Sequence, residues 1–312
     1  MITILGAGGV IANEVVKLLS ARKQPFRLVA RHARPVPAAT EIISADLSDK
    51  DQAIRAVAGS SIVHLLVGLK YDHKLWAEMW PRIMANTIEA CKRSGAKLVF
   101  FDNVYMYGKV SGTMTEETPF NPCSKKGEVR AKIATSLINE WKAGFTAMIA
   151  RAADFYGPET PNGLPNVLVF EPLAKNQKAS WLANDSVPHS FTYTPDAARS
   201  LVTLAESESA WNQTWHVATT PNAPTGKEFI AMAAKELGVT PRYRVLRRPM
   251  VRLIGWFNPL VGEVYEMLYQ NDSPYVFDSS KLARAFGFSG TPYAEGISAT
   301  AASFQKVAPS RK

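Results

Sequence analysis

"ITILGAGGVIA", residues 2–12, decides how the rest of the chain is read. Four apolar or β-branched residues stop at Gly6, Gly9 follows three positions later, and the small Ala12 three after that. A short apolar run ended by glycine predicts a buried strand, and the spacing beyond it predicts a helix through 12–22. In such a strand–turn–helix unit the first glycine permits a tight turn. The second lets the backbone approach a pyrophosphate, and the third small residue lets the helix pack closely on the strand. The helix N-terminus adds N–H groups and the positive end of a dipole. Gly6, Gly9, Val10 and Ile11 are therefore the expected dinucleotide contacts of this loop.

The same rhythm continues outward. "FRLVAR" (26–31), "EIISAD" (41–46), "SIVHLLVG" (61–68), "KLVFFDN" (97–103) and "FTAMIARA" (145–152) read as strands. Helical patterns over 50–58, 75–94 and 126–143 separate the later ones. Strands alternating with helices predict an α/β fold with a Rossmann-type, doubly wound parallel sheet. After residue 155 the alternation stops, and prolines and glycines crowd 157–165. The expected division is a dinucleotide-binding domain over 1–156, rejoined by 190–220. A smaller, more helical C-terminal substrate domain takes 157–189 and 221–312.

The second strand ends at Arg31, where an acidic residue would hold a ribose 2′-hydroxyl. The segment reads "ARHAR" (30–34), with no acid. Arg31 and Arg34 suit a 2′-phosphate and so favour NADP, with NAD as the alternative cofactor. The other reading is two solvated arginines. "ADLSD" (45–49) offers Asp46 and Leu47 to bracket an adenine, and Leu66, closing the fourth strand, is counted among the cofactor contacts.

Composition sets outer bounds. Hydrophobic residues make up 46% of 312 positions and charged residues 20%, as in an ordinary globular protein. The net charge of +9 is spread along the chain, which argues against a nucleic-acid partner. Its densest cluster is "RYRVLRRPMVR" (242–252), read as an edge strand and helix start with solvated basic faces, or else as a site for a phosphate-bearing partner. Two cysteines form no disulfide framework, and no CxxC or His/Cys cluster suggests a metal. A reducing, cytoplasmic setting is expected. The apolar N-terminus lacks a basic leader and cleavage site. "PMVRLIGWFNPLVGEVYEMLY" (249–269) is interrupted by Arg252, Pro259 and Glu263, so no membrane partner is expected. A small-molecule substrate is the expected partner, with a homodimer left open.

"GAGGVIA", "ADLSD", "VHLLVG", "VFFDNVYMYG", "ARAADFYGP", "FTYTPDAARS" and "DSSKLARAFGFSGTPYAEGI" follow one another in an order that resembles the extended short-chain dehydrogenase/reductase family, the NAD-dependent epimerase/dehydratase group. The resemblance implies a catalytic serine or threonine five residues before the glycine of the "YG" turn. Counting back from Gly108 gives Asn103. It also implies a Y-x-x-x-K motif whose tyrosine precedes a glycine. Pro122 and Gly127 fit that frame, so Lys126 stands at the tyrosine position and Arg130 at the lysine position, and no tyrosine lies between 108 and 155. The resemblance thus implies an atypical member lacking the usual motif. It also implies that Asn86 stands where the family kinks the long helix.

In the usual mechanism a phenol moves a proton as hydride transfers. Here Lys126 is the candidate donor and is also counted among the cofactor contacts, with Arg130 one helical turn away as a cation that favours proton release; the other reading is that both only bind cofactor phosphate or ribose, or an anionic substrate. Asn103 can hydrogen-bond a carbonyl oxygen but relays no proton. Tyr105 is a substitute acid if the strand end turns it toward the site. The expected function is an oxidoreductase or epimerase-like enzyme acting on a small carbonyl, hydroxyl or sugar-nucleotide substrate. The alternative is an NADP-binding sensor without redox turnover.

Overall fold

The computed structural model describes residues 1–307; residues 308–312, the tail of the expected substrate domain, lie outside the described residues. The strands in chain order are β1 (Ile2–Leu5), β2 (Phe26–Ala30), β3 (Glu41–Ser44), β4 (Ile62–Leu65), β5 (Lys97–Asp102), β6 (Thr113–Met114), β7 (Ala147–Arg151), β8 (Asp154–Tyr156), β9 (Ala179–Leu182), β10 (Phe191–Tyr193), β11 (Thr214–His216), β12 (Tyr243–Leu246) and β13 (Val276–Phe277). Seven of them form one parallel sheet in the order β11-β7-β5-β4-β1-β2-β3. This is the doubly wound fold expected from the sequence. Its central strands are mostly apolar, as expected of a parallel sheet buried on both faces, and Ile4, Leu5, Val29, Val63, Leu65, Leu98 and Phe100 are all buried. Strand order reverses at β1, which pairs with both β2 and β4. In such sheets the crevice outside the carboxyl ends of the strands at that point takes the ligand.

Local signals set the helices that frame this edge. Asp72 caps the helix His73–Ser94 by accepting from the N–H groups of Lys74 and Leu75, and Gly95 ends it at φ 68°. Ser124 caps the helix Lys125–Lys142 by accepting from Gly127 N. The first helix, Val10–Ala21, begins two residues earlier than its apolar spacing suggests.

The chain divides into two compact units. The first holds Met1–Tyr107, Phe120–Arg151 and Ala197–Val217; the second holds Gly108–Pro119, Ala152–Asp196 and the chain from Ala218 onward. Residues 108–119, 152–156, 190–196 and 218–220, assigned to the dinucleotide domain from sequence, thus fall in the second unit. Pairing explains part of this: β6 joins β13 and β8 joins β10. The second unit has its own core, where Tyr156, Phe170, Trp181, Phe191, Phe229 and Tyr293 pack together.

One buried histidine gives the first unit a pH signature. His64 on β4 sits between Ile4 and Val99, buried, with Nδ1 lacking a hydrogen-bond partner among the described residues. Burial alone pushes its pKa down to about 4 from 6.5. The unfolded chain therefore takes up a proton first as pH falls, so this histidine erodes stability between pH 6.5 and about 4. The expected loss is about 1.4 kcal/mol per pH unit, roughly 3 kcal/mol in all. Urea titrations across that range check it; a His64→Leu variant with the same slope as the parent would overturn it. Burial likewise pushes the Cys91 thiol up to about 12, leaving exposed Cys123 as the more reactive of two free cysteines.

Candidate active site

β1 runs straight into the glycine turn. Gly6 has φ 102°, and its N–H and that of Ala7 both donate to Val29 O, at 2.9 and 3.0 Å. A Cβ on Gly6 would lie 2.7 Å from the Leu66 carbonyl oxygen and 2.8 Å from Val67 Cα, so a side chain is excluded there. Gly8 is also left-handed at φ 86°. Gly9 caps the helix without any side-chain cap bond, and a Cβ there would sit 3.3 Å from Gly6 O. The first-turn N–H groups of a helix have no intrahelical acceptor, so this end presents them to a ligand. A cradle that side chains would fill, opening a helix with no side-chain cap, fits a dinucleotide pyrophosphate. Ile11 and Leu66 are buried side chains, so they could meet a cofactor only through backbone atoms or the edge of the core, while Val10 is half-buried.

Past β2, Arg31 and Arg34 are both exposed. Past β3, the Asp46 carboxylate accepts from Ser48 N at 2.9 Å and Ser48 Oγ at 2.8 Å. Those bonds hold its pKa below the usual value, with Arg31 adding to the effect. Leu47 is buried, and its carbonyl accepts from Asn86 Nδ2 at 3.0 Å. Asn86 thus ties the long helix to the loop that carries Asp46.

Beyond β5 lies the cluster at the expected catalytic positions. Asn103 Oδ1 accepts from Tyr105 N at 3.0 Å, which fixes the short turn Tyr105–Tyr107 and leaves the amide nitrogen as the side chain's donor. Gly127 packs tightly on this turn. A Cβ there would lie 2.6 Å from Tyr105 O, so glycine lets the helix bearing Lys126 approach. Lys126 is wholly buried, its Nζ 4.5 Å from the centre of the Tyr71 ring. The Tyr71 and Tyr105 hydroxyls are 3.4 Å apart, and the Tyr105 ring stacks on Trp76. Tyr71 therefore touches both Lys126 and Tyr105, the two residues that the sequence alone marked.

Arg130 does something else. Its Nη1 donates to Asp102 Oδ1 at 3.1 Å, and its guanidinium lies 4.7 Å from the Trp76 ring centre and 4.1 Å from that of Trp80. Arg151 Nε approaches Asp102 Oδ2 at 3.8 Å, and Arg151 Nη1 donates to the Tyr107 hydroxyl at 2.8 Å. That hydroxyl is 2.9 Å from His216 Nε2. Two buried guanidiniums thus share one buried carboxylate. Burial pushes the Asp102 pKa up, and Arg130 and Arg151 pull against it. Burial also lowers the Arg130 pKa, opposed chiefly by Asp102. Arg130 is consequently an anchor between β5 and the Lys126 helix, and the Asp102 charge offsets the repulsion it would exert on Lys126.

The sequence profile of the NAD dependent epimerase/dehydratase family matches residues 2–218. The chain belongs to that family. Among solved structures, it is similar to UDP-glucose 4-epimerase of Thermus thermophilus in complex with NAD, with a TM-score of 0.79, 20% identity, and coverage of 98% of this chain and 99% of that one. It is also similar to a dTDP-glucose 4,6-dehydratase from Streptomyces venezuelae with NAD bound, at a TM-score of 0.80 and 17% identity over 98% of each chain. In sequence it is 24% identical to a 3-diazoavenalumate denitrifying reductase from a Streptomyces species, over 82% of this chain and 88% of that protein.

Within this epimerase/dehydratase fold, sequence reasoning passed over Tyr71, Asp102 and Arg151. Tyr71 carried a usable signal: "KYDHK" (70–74) follows the fourth strand, and in a doubly wound sheet the loops after strands line the ligand edge. Asp102 and Arg151 both end strands of the sheet, β5 and β7, and are register partners. Only the strand order brings them together.

Proposed function

We propose that this chain is a nicotinamide-dependent oxidoreductase or epimerase-like enzyme in which Lys126 and the Tyr71–Tyr105 phenols replace the usual tyrosine–lysine pair. The observation that carries the reading is the buried Lys126 side chain, its Nζ 4.5 Å from the centre of the Tyr71 ring, whose hydroxyl lies 3.4 Å from that of Tyr105. A bound dinucleotide supplies hydride transfer at its nicotinamide. Gly6 and Gly9 admit the pyrophosphate, and Val10 and Ile11 offer backbone N–H groups to it. Asp46 and Leu47 would flank the adenine, with the Leu66 backbone lining the turn. Asn103 Nδ2 would hold the substrate oxygen, and Lys126 would hold the proton that this oxygen takes up. The phenol pair would relay a solvent proton back to Lys126, each hydroxyl regaining the proton it passes on. The buried site suits a small carbonyl or hydroxyl compound, and the named structural neighbours make a sugar nucleotide the first class to try. Two free cysteines agree with a reducing, cytoplasmic setting.

A sensor without turnover is the second reading, favoured by the pairing of Arg130 with Asp102, which removes one of the two cations from the reacting atoms. A screen of nicotinamide turnover over carbonyl compounds and sugar nucleotides separates the two. Turnover of any of them supports the enzyme, and dinucleotide binding with no turnover across the screen supports the sensor.

The cofactor proposal is NADP. Exposed Arg31 stands where an acid would hold a ribose hydroxyl, so NADPH should bind more tightly than NADH. A charge-assisted phosphate contact is worth roughly 1.5–3 kcal/mol, about one to two decades in affinity. Arg31→Asp should reverse the order. Equal affinities in the parent, or an unchanged order in the variant, measured by fluorescence titration, would sink the assignment.

A further inference from the structure

The second unit carries a basic helical hairpin that the proposed chemistry does not use. The helix Arg248–Phe257 turns at Asn258 into the helix Pro259–Tyr265. A Cβ on Gly255 would lie 3.0 Å from Gly262 Cα, so the two helices touch through glycine backbone rather than through large side chains. On the inner side only Val251 is fully buried, packed with Leu182 and Leu268. The outer side is apolar and open: Trp256 is 71% exposed, Phe257 82%, Leu253 55% and Leu260 57%. Exposed aromatic area of this kind marks an interaction surface. Arg248, Arg252, Leu253, Trp256 and Tyr265 line a groove of about 540 Å³.

Charge identifies the occupant. From 242 to the end of the hairpin at 265 the chain has five arginines against one acid, Glu263. Arg247 and Arg252 are exposed beside the apolar face, and Arg248 is joined to Asp272 at 2.5 Å. A symmetric pairing of two copies would press arginine clusters together with one acid, Glu263, per five arginines in each copy. An anionic bilayer supplies both things this face lacks: acyl chains for Trp256, Phe257 and Leu260, and phosphates for Arg247 and Arg252. We propose that this hairpin is a peripheral docking surface for an anionic lipid bilayer, lying in the interface without crossing it. No helix among the described residues is long and apolar enough to cross a membrane. A peripheral bilayer surface departs from the sequence expectation of no membrane partner, which rested on the interruptions of the apolar run 249–269.

The test is co-sedimentation of the full chain with phosphatidylglycerol–phosphatidylcholine vesicles and with pure phosphatidylcholine vesicles. Binding to the anionic vesicles alone, weakened by salt, is expected. Arg247→Ser and Arg252→Ser should each lower partitioning about fivefold. Trp256→Ser/Phe257→Ser keeps every charge and should lower it about tenfold or more, because buried aromatic area is lost. Both side chains are exposed, so the thermal midpoint of that variant should match the parent. Three results would overturn the proposal. The first is no binding to anionic vesicles. The second is equal binding by the aromatic variant, which would mean general attraction of a basic protein. The third is a concentration-dependent dimer, abolished by the same variant, in a protein that ignores vesicles.

Discussion

Lys126→Met should lower turnover by roughly 10²–10⁴-fold while dinucleotide affinity changes little. The side chain is wholly buried against the Tyr71 ring, so an unbranched apolar replacement keeps the packing and removes only the proton and the charge. Lys126→Arg should fail as well, because a guanidinium cannot release its proton near neutral pH. The arginine variant separates chemistry from binding. A site that merely holds an anion would keep near-parental behaviour with either cation. Loss of turnover with retained affinity assigns Lys126 to proton transfer, and retained turnover in Lys126→Arg refutes that role. Arg130→Leu, the natural electrostatic test from helical spacing, is not clean. It strands the buried Asp102 carboxylate that Arg130 pairs with.

Asp102→Ala should cost about 3–5 kcal/mol of stability, the usual result of breaking a buried charge pair from one side. The carboxylate is buried and holds Arg130 at 3.1 Å and Arg151 at 3.8 Å. Without it both guanidiniums stay buried with no counter-charge. Asp102→Asn keeps the shape and one acceptor, so its loss should be smaller. Asp102→Leu with Arg130→Met removes a charge of each sign together and should recover much of the stability of the single variant. Urea unfolding of the three variants measures this. A loss under about 1 kcal/mol for Asp102→Ala would show that the guanidiniums find water or other partners. Since Asp102 also ties β5 to the Lys126 helix through Arg130, turnover should fall in Asp102→Asn even where the protein stays folded.

The parallel sheet and the glycine turn were legible in the sequence because their signals are local. A four-residue apolar run, a glycine that must take φ 102°, and a helix start three residues on are written within eleven positions. Lys126 and Asn103 were also locatable, each by its distance from a nearby glycine. The order of the strands was not local, and it brings Asp102 beside Arg151 and turns Arg130 from a presumed neighbour of the chemistry into a buried anchor. Tyr71 meets Lys126 only because the loop after β4 and the start of the Lys125–Lys142 helix reach the same edge of the sheet. Residues 113–114 fall in the second unit for the same reason, since they pair with 276–277 across more than half the chain. Apolar period and glycine spacing determine which elements form. Which charged side chains end up sharing one buried pocket is decided by crossover connections and by the need of each buried charge for a partner, and neither is encoded at short range.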